Sequence, residues 1–273
     1  MIHASPRWPD TVYRGTAVVM LGAFGLTVVL HALDPRLLAD GNPVWAKPLK
    51  FQMALALHAG TLALVVARMT KPLRDGRLML YVASAFLAAC VVEMGYITLQ
   101  AALGQPSHFN TSTPLNAAMF SVMAFCAVII IGTAGMMGVV VWWDTGFRAT
   151  DLTRLAVVAG LIGGTVLTLV TAFSIGANGG PFVGVDPGPT EKMFLSGWSM
   201  VSGDLRISHF LATHMIQAVP AAGLVIGAIA PVSAHRRLLL VFVALWTLLT
   251  ILAFQDASYG QPEKFFHTGT TQD

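Results

Sequence analysis

Charge is what this chain has least of. Asp, Glu, Lys and Arg make up only 11% of its 273 residues, against roughly 25% in a soluble domain, too few to coat a water-facing surface. Cysteine is scarce as well. Cys90 and Cys126 both fall inside apolar runs with no CxxC spacing, so they read as small buried side chains and supply neither a disulfide framework nor a zinc ribbon. Several catalytic signatures are missing: HExxH, GxSxG, and a strand ahead of the glycines in IGTAGMMG and AGLIGGT that would make them a nucleotide loop. The last apolar run holds no Lys, which excludes a retinal-type Schiff base. A net charge of +3 is no sign of nucleic acid, because the Lys and Arg sit in short clusters between apolar runs, where membrane topology explains them.

What the chain has is apolar length. Hydrophobic residues are 55% of it and the mean hydropathy is +0.70. A bilayer core of about 30 Å needs roughly 20 apolar residues per helix, and seven runs qualify: 15–33, 48–67, 78–103, 115–143, 152–177, 207–230 and 238–257. The segments DPRLLADGNP, RMTKPLRDGR, GQPSHFNTSTP, DTGFRATD and PVSAHRR, rich in Pro, Gly and charge, separate them. The expectation is an all-α, polytopic membrane protein, a bundle of about seven transmembrane helices forming a single domain over 1–273. Its multi-pass setting would be a bacterial inner (plasma) membrane, with the lipid bilayer as its first partner. The first run lacks a convincing cleavage site and reads as a retained helix. Between 178 and 206, NGGPFVGVDPGP reads as loop and EKMFLSGWSMVS as a short interfacial helix. The glycines of the fourth and fifth runs read as close helix packing.

Seven spans send the basic residues to two sides. One side receives Arg7, Arg14, Arg68, Lys71, Arg74, Arg77, Arg148, Arg154, Arg236 and Arg237. The other receives Arg36, Lys47, Lys50, Lys192, Arg206 and Lys264. The excess on the first side makes it cytoplasmic, placing the N-terminus in the cytoplasm and the C-terminus in the periplasm.

Ionisable groups within lipid are expensive and mark function. At 1.5 Å per residue, Glu93 lies roughly 15 Å below the outer boundary, His58 roughly 12 Å and His214 roughly 10 Å. At 100° per residue, Arg206, His209, Thr213, His214 and Gln217 share one face of their helix, opposite Ile207, Leu211 and Met215. Glu93, Tyr96 and Gln100 share a face of the third span. Lys47, Lys50, Ala54 and His58 share one on the second. A common outward-facing polar site follows, with Glu93, Tyr96 and Gln100 as its catalytic candidates and Glu93 as the proton-handling group. His31, His108, His209, Asp204 and Asp256 form a second layer at the outer interface.

Three chemistries suit such a site. The first is haem b in an electron-transfer or quinol-linked protein, with a quinone or a redox protein as partner. His58 and His214 would be axial ligands, His209 the substitute, and Lys47, Lys50 and Arg206 the partners of the propionates. Gly60 beside the His58 turn leaves room for the macrocycle. The second is a metal-dependent, hydrolase-like membrane enzyme binding a divalent ion such as zinc through His58, His214, His209, His31 or His108. His209 and His214 are poorly phased to chelate one ion together. The third is a proton-coupled transporter using Glu93, although no inverted repeat is visible.

Overall fold

A computed structural model of the chain describes residues 8–193 and 196–262. The expected basic residues Arg7 and Lys264 lie outside the described residues. Eight helices run in order: α1 (Trp8–Leu33), α2 (Ala46–Val66), the short α3 (Lys71–Arg74), α4 (Arg77–Ala102), α5 (Pro114–Trp143), α6 (Asp151–Ala177), α7 (Leu205–Ile229) and α8 (His235–Ser258). All but α3 are long and apolar enough to cross a membrane. The single sheet pairs β1 (Phe182–Val183) antiparallel with β2 (Gly203–Asp204) just ahead of α7.

Helix starts follow from local chemistry. Thr113 ahead of Pro114 accepts the Asn116 N–H at 3.1 Å, Thr150 accepts the Thr153 N–H at 3.2 Å, and Asp204 accepts the Arg206 N–H at 3.0 Å, each satisfying a donor with no partner inside its helix. The α1 helix begins at Trp8, ahead of the Gly15 that hydropathy suggested. Pro9 suits a first turn, and Arg14 donates to Asp10 one turn back at 2.8 Å. Those polar turns are helical without being apolar, so a hydropathy window passes over them.

Five helices, α2, α4, α5, α6 and α7, pack in that order around a common core, and α2 meets α7 to close the ring. The α1 helix lies outside on α2 and α4, and α8 on α6 and α7. Small residues permit the closest approaches. A Cβ on Gly138 would stand 2.8 Å from Ile162 Cγ1, and one on Gly164 would stand 2.6 Å from Ile216 Cγ1. The glycines therefore work as helix-packing surfaces, where lipid supplies no hydrophobic drive for association.

The two ends differ. At the Arg74 end, short loops lock onto one another, the Thr70 N–H donating to Asp144 at 2.8 Å and the Arg148 N–H to the Arg68 carbonyl, while Trp8 Nε1 of α1 donates to Ser84 Oγ of α4 at 3.2 Å. The opposite end carries the long connections. Asp34 there accepts from Arg36 and from Trp45 Nε1 at 2.8 Å, and these donors, Arg36 first, hold its carboxyl well below the usual carboxylate range.

The stretch 191–202, expected as an interfacial helix, is not one among its described residues. It leaves a single 3-10 turn (Pro189–Glu191) and doubles back through a Lys192–Ser199 bridge. Gly197 turns the chain at φ +69°, and the Ser199 hydroxyl and Asp204 carboxylate capture the N–H groups of Ser202 and Ser199. Short polar side chains that bond their own backbone favour such turns over helix.

Candidate functional site

The polar faces of α2, α4 and α7 converge at the long-loop end. Lys47 on the first turn of α2 lies within electrostatic range of Glu93 on α4 and of Asp40 and Arg206. Its ammonium also stands over the Phe51 ring, 5.7 Å from the centroid.

The partner of Glu93 comes from a loop. Residues 104–113 fold into the mouth of the bundle and set His108 Nε2 3.5 Å from Glu93 Oε1, while Nδ1 of the same ring lies 3.2 Å from Ser107 Oγ. The ring sits between Phe51 and Phe120, at centroid distances of 5.7 and 6.1 Å. Glu93 is 2% exposed, and neither carboxyl oxygen has a partner in hydrogen-bond geometry. At 3.5 Å the histidine is a charge contact at the edge of bonding range. Burial pushes the His108 imidazole below its ordinary pKa; contact with Glu93 works against that shift and Lys47 adds to it.

Tyr96 and Gln100, expected beside Glu93 as catalytic groups, hold this loop in place. Tyr96 donates to Asn116 at 3.1 Å, and Gln100 Nε2 donates to the Pro106 carbonyl at 3.3 Å, an oxygen that also receives Asn110 at 3.0 Å. Phe109, packed on Phe120 at 4.7 Å, has φ +55° and is the one non-glycine residue with positive φ among the described residues. A bulky residue adopts that conformation only where its surroundings impose it.

A second centre lies deeper. His58 is 4% exposed, stacks on Phe86 with centroids 6.0 Å apart, and reaches the Ile130 backbone carbonyl of α5 without either ring nitrogen attaining full hydrogen-bond geometry. Across the α2–α7 seam the His214 ring lies close enough to interact with it electrostatically. His214 packs on Phe210 at 4.2 Å with Gln217 one turn along. Arg206, His209, Thr213, His214 and Gln217 are all partly exposed, whereas Ile207 and Met215 on the other side of α7 are buried against neighbouring helices. A Cβ on Gly60 of α2 would meet nothing within 4 Å, but Gly60 lies on the face of the helix turned away from His58, where Leu57 and Leu64 are exposed.

The remaining candidates are dispersed. His209 faces α6, its Nδ1 3.0 Å from Thr171 Oγ1. His31 is exposed at the end of α1. Lys50 donates to the Ser196 carbonyl at 2.8 Å, and Arg206 is taken by Asp204 and the Gly197 carbonyl. Of the three cations expected at the site, Lys47 thus keeps an ammonium with no hydrogen bond to the described residues. No group of three or more His, Cys, Asp or Glu that could hold a metal ion occurs among the described residues.

Sequence reasoning missed the His108–Glu93 contact, because a loop residue has no helical phase to follow. The strongest available signal was His108 beside Ser107 in a short, Pro-bounded loop on the same side as Glu93. No protein-family model, no curated protein and no solved structure matches the chain.

Proposed function

We propose that this chain is a membrane redox protein that binds haem b in the α2–α7 seam through His58 and His214, with the long-loop end facing the periplasm. The observation that carries the reading is a buried His58 whose ring reaches the Ile130 backbone carbonyl but has no partner in full hydrogen-bond geometry, across from a polar stripe of α7 left partly open. An unpaired buried imidazole costs free energy unless a ligand satisfies it, and a polar stripe at membrane depth should not face lipid. Two imidazoles on separate helices would suit a pair of haem-iron ligands. Lys47, with its ammonium uncommitted, is the residue best placed to meet a propionate. When bound, the haem would supply one-electron transfer.

A three-ligand metal centre is less well supported, because the described carboxylates, thiols and imidazoles are not gathered in threes. A proton-coupled transporter requires a polar route to the other face, yet Leu62, Val66, Met79 and Met137 fill the core toward the Arg74 end and are 0% exposed. Protein purified from haem-replete cells is expected to show a low-spin b-type spectrum and a single haem per chain. Colourless protein would overturn the reading.

A further inference from the structure

We propose that Glu93 and His108 form a proton-binding pair that exchanges with water at the long-loop face, with His108 as the shuttle between the buried carboxyl and the outside. The two groups differ sharply in access: the side chain of Glu93 is 2% exposed and that of His108 21%. A proton on Glu93 therefore meets the imidazole before it meets bulk water.

The exchange balances as a single-proton event. The neutral acid gives its proton to His108 Nε2, leaving a carboxylate beside an imidazolium. The imidazolium then releases the proton on Nδ1 past Ser107 Oγ, 3.2 Å away, to water. The return path runs in reverse. Proton transfer needs the two heavy atoms within about 2.6–3.2 Å, and from 3.5 Å, with both carboxyl oxygens otherwise unpaired, the pair has only a few tenths of an ångström to close.

The loop is built around this aim. Phe109 keeps a left-handed backbone while packing on Phe120, and Gln100 and Asn110 both donate to the Pro106 carbonyl just ahead of the histidine. The charged and titratable groups facing the pair are Lys47 from α2, Cys126 from α5 and Cys90 on the same helix as Glu93. Of these Lys47 is the cation, and it opposes an imidazolium at His108. Ser107 is 4% exposed, which suits a relay hydroxyl better than a nucleophile.

The test uses the full chain in lipid nanodiscs and needs no haem, so it stands apart from the spectrum that tests the redox reading. Hydrogen–deuterium exchange at the Glu93 carboxyl is followed through its infrared C=O band, assigned by its loss in Glu93→Gln. His108→Gln should leave the band in place and slow its exchange by about a hundredfold. Nitrogen NMR of histidine-labelled protein gives a second readout. Glu93→Gln should lower the apparent pKa of His108, since a group favouring its charged form is lost, and Lys47→Met should raise it. Unchanged exchange in His108→Gln, or a His108 titration unmoved by Glu93→Gln, would reduce the pair to a loop fastening.

Discussion

The two halves of this bundle solve opposite problems. Toward the Arg74 end the core is filled by Leu62, Val66, Met69, Met79, Met137 and Val141, each at most 1% exposed, with the short loops bonded to one another. Toward the long-loop end the same helices bury Gln52, Glu93 and Gln100, with His58 just past the middle of α2, and several of those polar atoms have no partner, as is also true of the Tyr13 and Thr16 hydroxyls on α1. A chain selected for stability alone would pair or remove such groups, because an unsatisfied buried polar atom costs about 1–3 kcal/mol. One half is filled by apolar side chains, and the other buries Glu93 beside His108.

Substitutions can break that contrast. The largest effect is expected at Asp204, which is fully buried at its carboxylate and accepts from Ser199 N–H, Arg206 N–H and the Arg206 guanidinium. Asp204→Ala leaves a partly buried cation and two N–H groups unpaired and should cost about 3 kcal/mol, read as a drop in the thermal unfolding midpoint. A loss below about 0.5 kcal/mol would mean that water replaces the carboxylate and that the loop is not fastened there.

Met137→Ala probes the packed half. Lipid tails are as apolar as leucine, so the transfer contribution shrinks and the cavity contribution remains. About 2 kcal/mol of destabilisation is expected, with the absorption spectrum unchanged. A spectral shift without destabilisation would show that the two halves are not separable.

The mildest probe concerns orientation. Lys71→Cys and Ser112→Cys place single exposed thiols at opposite ends, against native Cys90 and Cys126 that are buried. An impermeant thiol reagent should label Ser112→Cys from outside intact cells and leave Lys71→Cys unlabelled, with little effect on stability. The reverse pattern would turn the His108 face toward the cytoplasm.

The long helices were legible because a membrane span is a property of a continuous apolar run, so six of them start and stop close to where hydropathy places them. The exception, the start of α1, lies in the polar turns around Asp10 and Arg14. The convergence of α2, α4 and α7 was legible from helical phase, since a polar stripe must turn away from lipid. The site inside it was only half legible. Phase brings Tyr96 and Gln100 to the face of Glu93 but does not reveal that both are spent on Asn116 and Pro106. Nor does it reveal that Asp204 claims Arg206 or that His209 turns to Thr171. These contacts depend on where loops and neighbouring helices fall, and periodicity carries no signal for either.

The central claim is the proposal that the buried His58 and the half-open His214 bind a haem between them. The direct measurement is the visible absorption spectrum of wild type, His58→Ala and His214→Ala, each purified from haem-replete cells and checked for folding. A low-spin b-type spectrum in the wild type, lost or converted to high spin in each variant, is the predicted result. A colourless wild type, or a spectrum that survives both substitutions unchanged, would contradict it.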